Sequence, residues 1–416
     1  MSRSMDPAPQ DGQGRVWLKG MTRPRLIAWA TQTLGARETQ AELIWAGLHR
    51  QLAPTIAEFA TIDAELLRRL AAVARVDALA VDQIHTAADG TRKLALRTDD
   101  GALIESVVIP AVQPPRRPSG PEVRPSGPEA RPSGPHAPRP GSDGRDHGRA
   151  TLCVSSQVGC AMNCRFCLTA KMGLTRHLDT AEIVEQLILA RRLFPEIWIS
   201  NVVFMGMGEP LHNLDAVIDA TRIMCDDHGL GLSSRRVTVS TSGLIPAIVR
   251  FVAESPAQLA VSINATTDAV RDHIMPVNRK YPLADLVAAL RALPLRRRER
   301  LTLEYVLLAD LNDTPADADR LATLVSGLPC KLNLIPFNPH PGSEFRRPTP
   351  ERVAAFKAAL QARHLNTSIR TTRGDERMAA CGQLGTAPSP AGDRSENPDA
   401  ASPRPRIRRP PGLALR

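Results

Sequence analysis

Between residues 151 and 384 short apolar runs alternate with longer amphipathic stretches. The runs "NVVFMG", "RRVTVSTSG", "QLAVSIN", "LTLEYVLL", "CKLNLIPFN" and "TSIRTTRG" are compact and rich in β-branched residues, and read as strands. The stretches "DTAEIVEQLILARRLF", "LDAVIDATRIMCDD", "LADLVAALRAL", "TPADADRLATLVSGL" and "TPERVAAFKAALQAR" space their apolar residues three and four apart, and read as helices. Such repetition predicts a parallel sheet with right-handed crossovers. About six units suit an α/β fold built as an open, partial (β/α)6 barrel better than a closed eightfold one. Ligands in these folds sit at the carboxyl ends of the strands. That points to "MGMGEP", "STSG", "SINA" and "PFNP", which end or follow strands.

Residues 16–110 have a different texture. "RPRLIAWATQTLG", "TQAELIWAGLHRQL" and "TIDAELLRRLAAVARV" are helical in pattern, with Gly35 as a stop signal. "RKLALRTDDGALIESVVIP" alternates and turns at Asp99-Asp100-Gly101, a hairpin signal. A small, mainly helical accessory domain over 16–110, ending in that hairpin, is therefore expected before a core over 150–384. Between them, residues 111–149 include the repeat "RPSGPEVRPSGPEARPSGPHA". Proline removes backbone donors and this composition buries little, so an extended or disordered linker is expected. The tail over 385–416 is similar and basic, and residues 1–15 are also expected to be disordered.

Apolar residues make up 43% of the chain, enough for a sizeable core, and the formal charge is +10. A basic balance favours a polyanionic partner, nucleic acid first. However, residues 111–149 hold seven Arg against four acids and residues 385–416 six Arg against three. More than half of the excess thus lies outside the expected folded parts. "LRRRER" at 295–300 reads equally as an RNA contact or a solvated helix end. The first fifteen residues have no apolar core for a secretory signal, and no apolar run reaches the ~20 residues of a membrane span. Seven clustered cysteines suit a reducing compartment rather than a disulfide framework. A cytoplasmic location, with no membrane contact, is expected.

Three cysteines fall in "VGCAMNCRFC": Cys160, Cys164 and Cys167, spaced C-x3-C-x2-C. Structural zinc wants four ligands, and Cys153, seven residues earlier, could supply a fourth. An iron–sulfur cubane is the other thiolate-loving centre. Three thiolates on four irons leave one iron open to chelate a substrate and pass it an electron. Both readings stand on the spacing alone. In "GMGEP", Gly208 permits close backbone approach and Glu209 can pair with an amino group. Ser240, Ser262 and Asn264 end later strands, where on their own they read as ordinary turn or cap residues.

Together, "ATLCVSSQVGCAMNCRFCLTAKMGLTRHL", "NVVFMGMGEPLHN", "RRVTVSTSG", "IMPVNRKYPL", "LNLIPFNPHPGS" and "RGDERMAACGQL" resemble the bacterial radical S-adenosylmethionine adenine-C2 RNA methyltransferases, which methylate 23S ribosomal RNA and often transfer RNA. The resemblance spans residues 150–384 and reaches back to "IESVVIP". It implies a [4Fe-4S] cluster on Cys160, Cys164 and Cys167, and two S-adenosylmethionine molecules per turnover. It also implies cofactor contacts at Gly208, Glu209, Ser240, Ser262, Ile263, Asn264 and Asn338. The third residue of "SIN" is commonly His in that family; here it is Asn264. Cys381 is implied to accept a methyl group and, after hydrogen abstraction, to carry it to adenine. Cys153 is implied to release the product, leaving a disulfide to be reduced, and Glu105 to remove the ring proton. Cys225 and Cys330 match no role and read as small buried hydrophobes; His212 and His340 read as loop residues. The implied partners are 23S rRNA, tRNA and an electron donor such as flavodoxin or ferredoxin, with the enzyme a monomer. The rival readings are carbon-8 methylation of adenine by the same fold, and a zinc-stabilised RNA-binding protein without catalysis.

Overall fold

The computed structural model describes residues 11–111, 149–296, 299–370, 372–374 and 378–385. The repeat linker, most of the basic tail and the first ten residues lie outside the described residues, as does part of "LRRRER". The N-terminal region runs β1 (Val16–Trp17), α1 (Arg23–Leu34), α2 (Glu38–His49), α3 (Ala64–Val73) and β2 (Ala74–Arg75), then β3 (Leu79–Thr86), β4 (Arg92–Thr98) and β5 (Leu103–Pro110). Gly35 caps α1 in the left-handed region, as its position suggested. Asp63 caps α3 by accepting from the Leu66 amide.

The remainder continues with β6 (Arg149–Cys153), β7 (Gln157–Gly159), β8 (Leu174–His177), α4 (Thr180–Leu193), β9 (Trp198–Phe204), α5 (Leu214–Cys225), β10 (Val237–Thr241), α6 (Ile245–Glu254), β11 (Gln258–Ser262), α7 (Asp268–Ile274), α8 (Leu283–Arg291), β12 (Leu301–Leu307), α9 (Pro315–Leu324), β13 (Cys330–Pro336), α10 (Pro350–Ala362) and β14 (Thr367–Ile369). Six strands, β6 and β9–β13, are each followed by helix before the next parallel strand, and β14 closes the series. The sheet is open, with β14 at one edge and β3 at the other. The expected partial (β/α)6 arrangement is therefore what forms.

The boundary expected near residue 110 does not separate two bodies. β5 pairs antiparallel with β6, Val107 opposite Cys153, so β3–β5 extend the core sheet to ten strands. The physical reason is edge satisfaction: without β5, one side of β6 would be left unpaired. Apolar residues of α1–α3 and of the core strands form one continuous cluster. A buried ion pair between Lys19 and Glu185 of α4, at 2.5 Å, lies within that contact. Among the described residues no helix is long and apolar enough to cross a membrane.

Candidate active site

β7 and β8 pair antiparallel, so residues 160–173 form the loop they carry. Gly159 makes the entry possible. Its φ is +78°, and a Cβ there would lie 1.8 Å from the Gly173 carbonyl, which instead accepts from the Cys160 amide at 2.7 Å. The loop is pinned at both flanks. Arg165 N–H donates to Ile274 at the end of α7 (3.0 Å), and Leu168 N–H donates to Gly382 (2.8 Å). Cys160, Cys164 and Cys167 all line one cavity at the carboxyl ends of the strands. Zinc would gather its ligands at one point, whereas a cubane takes each thiolate on a separate iron. Cys153, the possible fourth zinc ligand, is buried in the core on β6 and does not line the cavity. Burial pushes the Cys160 thiol up to about 12 and raises Cys164 and Cys167, so iron would have to displace their protons.

The strand ends supply the opposite wall. Gly208, at φ +103°, could carry no side chain, because a Cβ would meet the Gln157 side chain at 2.6 Å. Glu209 is buried and accepts from Leu211 N–H (3.0 Å) and Ser242 N–H (2.7 Å). Burial raises its carboxyl group against these amide bonds, which favour the charged form. Ser240 donates to Glu304 Oε2. Glu304 Oε1 and Ser242 Oγ have no hydrogen-bond partner, although both side chains border the cavity. Two buried carboxylates, two orphaned polar oxygens and three thiols fit a cationic, hydroxyl-bearing ligand held against a cluster. The residues present therefore fit both implied groups: the cysteines would hold the cluster, and Glu209, Ser240, Ser242 and Glu304 would receive S-adenosylmethionine.

Other predicted contacts divide. Ser262, Asn264 and Asn338 line the cavity; Ile263 does not, its side chain packing in the core. Asn264 sits at φ +56°, a conformation Asn tolerates better than most residues. Its Oδ1 accepts from Val306 N–H at 2.8 Å. Arg271, which the sequence did not single out, is fully buried and donates to the carbonyls of Ser242, Ser262 and Ile263. It thereby ties the ends of β10 and β11 together.

Cys381 borders the same cavity, half-buried, despite its distance in sequence from the cysteine loop. Cys153 and Cys381 are both free thiols. Burial pushes Cys153 up to about 12, with the nearby Cys381 sulfur as the next cause. Arg370 is the cation among the lining residues, and its guanidinium is raised chiefly by Cys381. Glu105 is not brought into the cavity. It is paired with Lys93 at 3.1 Å and accepts from Gly385 N–H at 2.9 Å, four residues beyond Cys381. Arg370 and Glu304 were missed by sequence reasoning; the one usable signal was a lone acid in the apolar run "LTLEYVLL".

Comparison with known proteins adds three findings. The profile of the Radical SAM superfamily matches residues 154–322. The dual-specificity RNA methyltransferase RlmN of Geobacter sulfurreducens is 43% identical over 373 residues, covering 88% of this chain and 93% of the relative; that of Sorangium cellulosum is 47% identical over 353 residues, covering 84% and 90%. The crystal structure of a radical SAM methyltransferase from Sphaerobacter thermophilus superposes with a TM-score of 0.75 at 36% identity, covering 88% of this chain and 98% of that one.

Proposed function

The chain belongs to the RlmN family of radical SAM RNA methyltransferases, and from that premise we propose that it methylates carbon 2 of an adenine in 23S rRNA, and in tRNA, through a methyl-cysteine at Cys381. Carbon 2 lies between two ring nitrogens and is electron-poor, so it does not attack a sulfonium methyl as a nucleophile would. When bound, the cluster and two S-adenosylmethionine molecules per turnover supply a methyl group and a hydrogen-abstracting radical.

The chain's own residues do the rest. Glu209, with its carboxylate fixed by two amides, binds the ammonium group of the cosubstrate. Ser240 and Ser262 hold polar atoms of its nucleoside half. Cys381 takes the methyl group and presents it to the base, and Asn338 holds its backbone carbonyl at 3.0 Å. Cys153 then releases the product, forming with Cys381 a disulfide that two electrons and two protons must reopen before the next turnover; a one-electron donor of the flavodoxin or ferredoxin class serves the cluster. The resemblance makes Glu105 the proton acceptor; here it lies outside the cavity, paired with Lys93, and is linked to the segment that carries Cys381 only through its bond to Gly385. The observation that carries the proposal is Cys381 bordering one cavity with Cys160, Cys164 and Cys167.

The test is nucleoside mass spectrometry of ribosomal and transfer RNA from cells with and without the gene, and with Cys381→Ala. Loss of 2-methyladenosine in the deletion and in C381A supports the reading. A methyl group on carbon 8, or modification that persists in C381A, overturns it.

A further inference from the structure

Gln157 is fully buried beneath the Gly208–Glu209 turn. Its amide orientation is dictated by its neighbours. Glu209 N–H can only donate, so Gln157 Oε1 faces it, at 2.7 Å. Gln157 Nε2 must then face two imidazoles, His177 Nδ1 at 2.9 Å and His212 Nδ1 at 3.4 Å. Because the amide nitrogen donates, both Nδ1 atoms must accept, so both rings are neutral with the proton on Nε2. The rings pack edge to face, 4.9 Å apart. The backbone agrees: Ser156 and Gln157 N–H both donate to the Met207 carbonyl, and Met207 N–H donates to Ser155 Oγ at 2.8 Å. The chain just before the cysteine loop is thus zipped to the chain that carries Glu209.

We propose that Gln157, oriented by neutral His177 and His212, is the positioning residue that sets Glu209 for the ammonium group of S-adenosylmethionine. The proposal rests on the reading of this cavity as the cosubstrate site. It has a consequence that simple packing would not produce. Protonating either imidazole sets an N–H against the amide N–H of Gln157. The amide cannot turn over to relieve this, because its NH2 would then face Glu209 N–H. Acid therefore loosens Glu209. Both imidazoles are solvent-exposed. His177 borders a polar groove shared with Arg75, Asp99, Asp100, Arg176 and Asp179; His212 follows Glu209 on the other side, its N–H donating to the Glu209 carbonyl. Burial, then the His212 charge, lowers the His177 pKa.

The experiment measures equilibrium binding of S-adenosylmethionine to the anaerobically reconstituted full chain at about pH 6 and about pH 8, either side of the ordinary imidazole range. Wild type is expected to bind a few-fold more weakly at the lower pH, because a ring held below 6.5 is only partly protonated there. The double variant His177→Asn with His212→Asn is expected to bind equally at both, since an Asn oxygen accepts where Nδ1 did and does not titrate. Gln157→Ala is expected to bind weakly at both, with its iron content and its rate at saturating cosubstrate retained. Wild-type affinity in Q157A, or an undiminished pH dependence in the double variant, overturns the brace while leaving the cosubstrate site intact. If Q157A does not fold, the double variant, altered only at exposed positions, decides alone. Failure of wild type itself to bind overturns the cosubstrate site, and the brace with it.

Discussion

Asn338 Nδ2 donates to the backbone carbonyl of Cys381 at 3.0 Å, while Asn338 Oδ1 accepts from Arg347 and Thr372. One side chain thus fixes the segment that carries the candidate methyl carrier, and does so from the end of β13.

Asn338→Ala should leave Cys381 chemically intact but less well placed. One net hydrogen bond is worth about 1 kcal/mol, so single-turnover methylation should slow roughly fivefold. Iron content should be unchanged. Wild-type single-turnover rates in N338A would remove Asn338 from the positioning of Cys381.

Glu209→Gln removes the charge and sets an NH2 against one of the two backbone amides, Leu211 or Ser242, from which the carboxylate accepts. A hydrogen bond to a charged group is worth about 1.5–3 kcal/mol, so affinity for S-adenosylmethionine should fall roughly tenfold to a hundredfold. Equilibrium binding to the reconstituted protein measures this. An unchanged affinity would mean that the ammonium group lies elsewhere.

The Lys19–Glu185 pair has both side chains nearly inaccessible, at 1% and 2% exposure. Lys19→Met should strand the Glu185 carboxylate in the core and cost about 3–5 kcal/mol in urea unfolding. Adding Glu185→Leu should recover most of that loss, because the desolvation penalty disappears with the charge. A double variant no more stable than K19M contradicts this account.

His49 is fully buried, with no hydrogen-bond partner on either ring nitrogen. Burial, then the Lys19 charge, lowers its pKa from 6.5 to about 3. Between those values the unfolded chain binds the extra proton, so stability falls as pH falls from about 6.5 towards 3, by up to about 1.4 kcal/mol per pH unit. His49→Leu removes that dependence. At about pH 5 it should gain roughly 2 kcal/mol relative to wild type, compared with its difference at pH 8. Parallel unfolding curves for the two proteins across that range would refute the assignment.

The alternation of apolar runs and amphipathic stretches was enough to determine the open sheet of β/α units, because the period of a strand or helix is a local property. Local causes also explain the misses. β3 is an edge strand with mostly exposed residues, and a bulge between Val81 and Gln83 breaks its alternation. α6 opens with a proline in its first turn, where proline is tolerated but reads as a breaker. α7, seven residues long, offers too little periodicity to see. The spacing of Cys160, Cys164 and Cys167 likewise announced a thiolate centre, since one short loop carries all three. Only the tertiary structure decided that β5 completes β6, removing the expected domain boundary. It alone brought Cys381, Arg370 and Glu304 to one cavity and oriented Gln157 against Glu209. Those neighbours come from segments distant in the chain, and which of them meet is set by strand order and register, which no local pattern encodes.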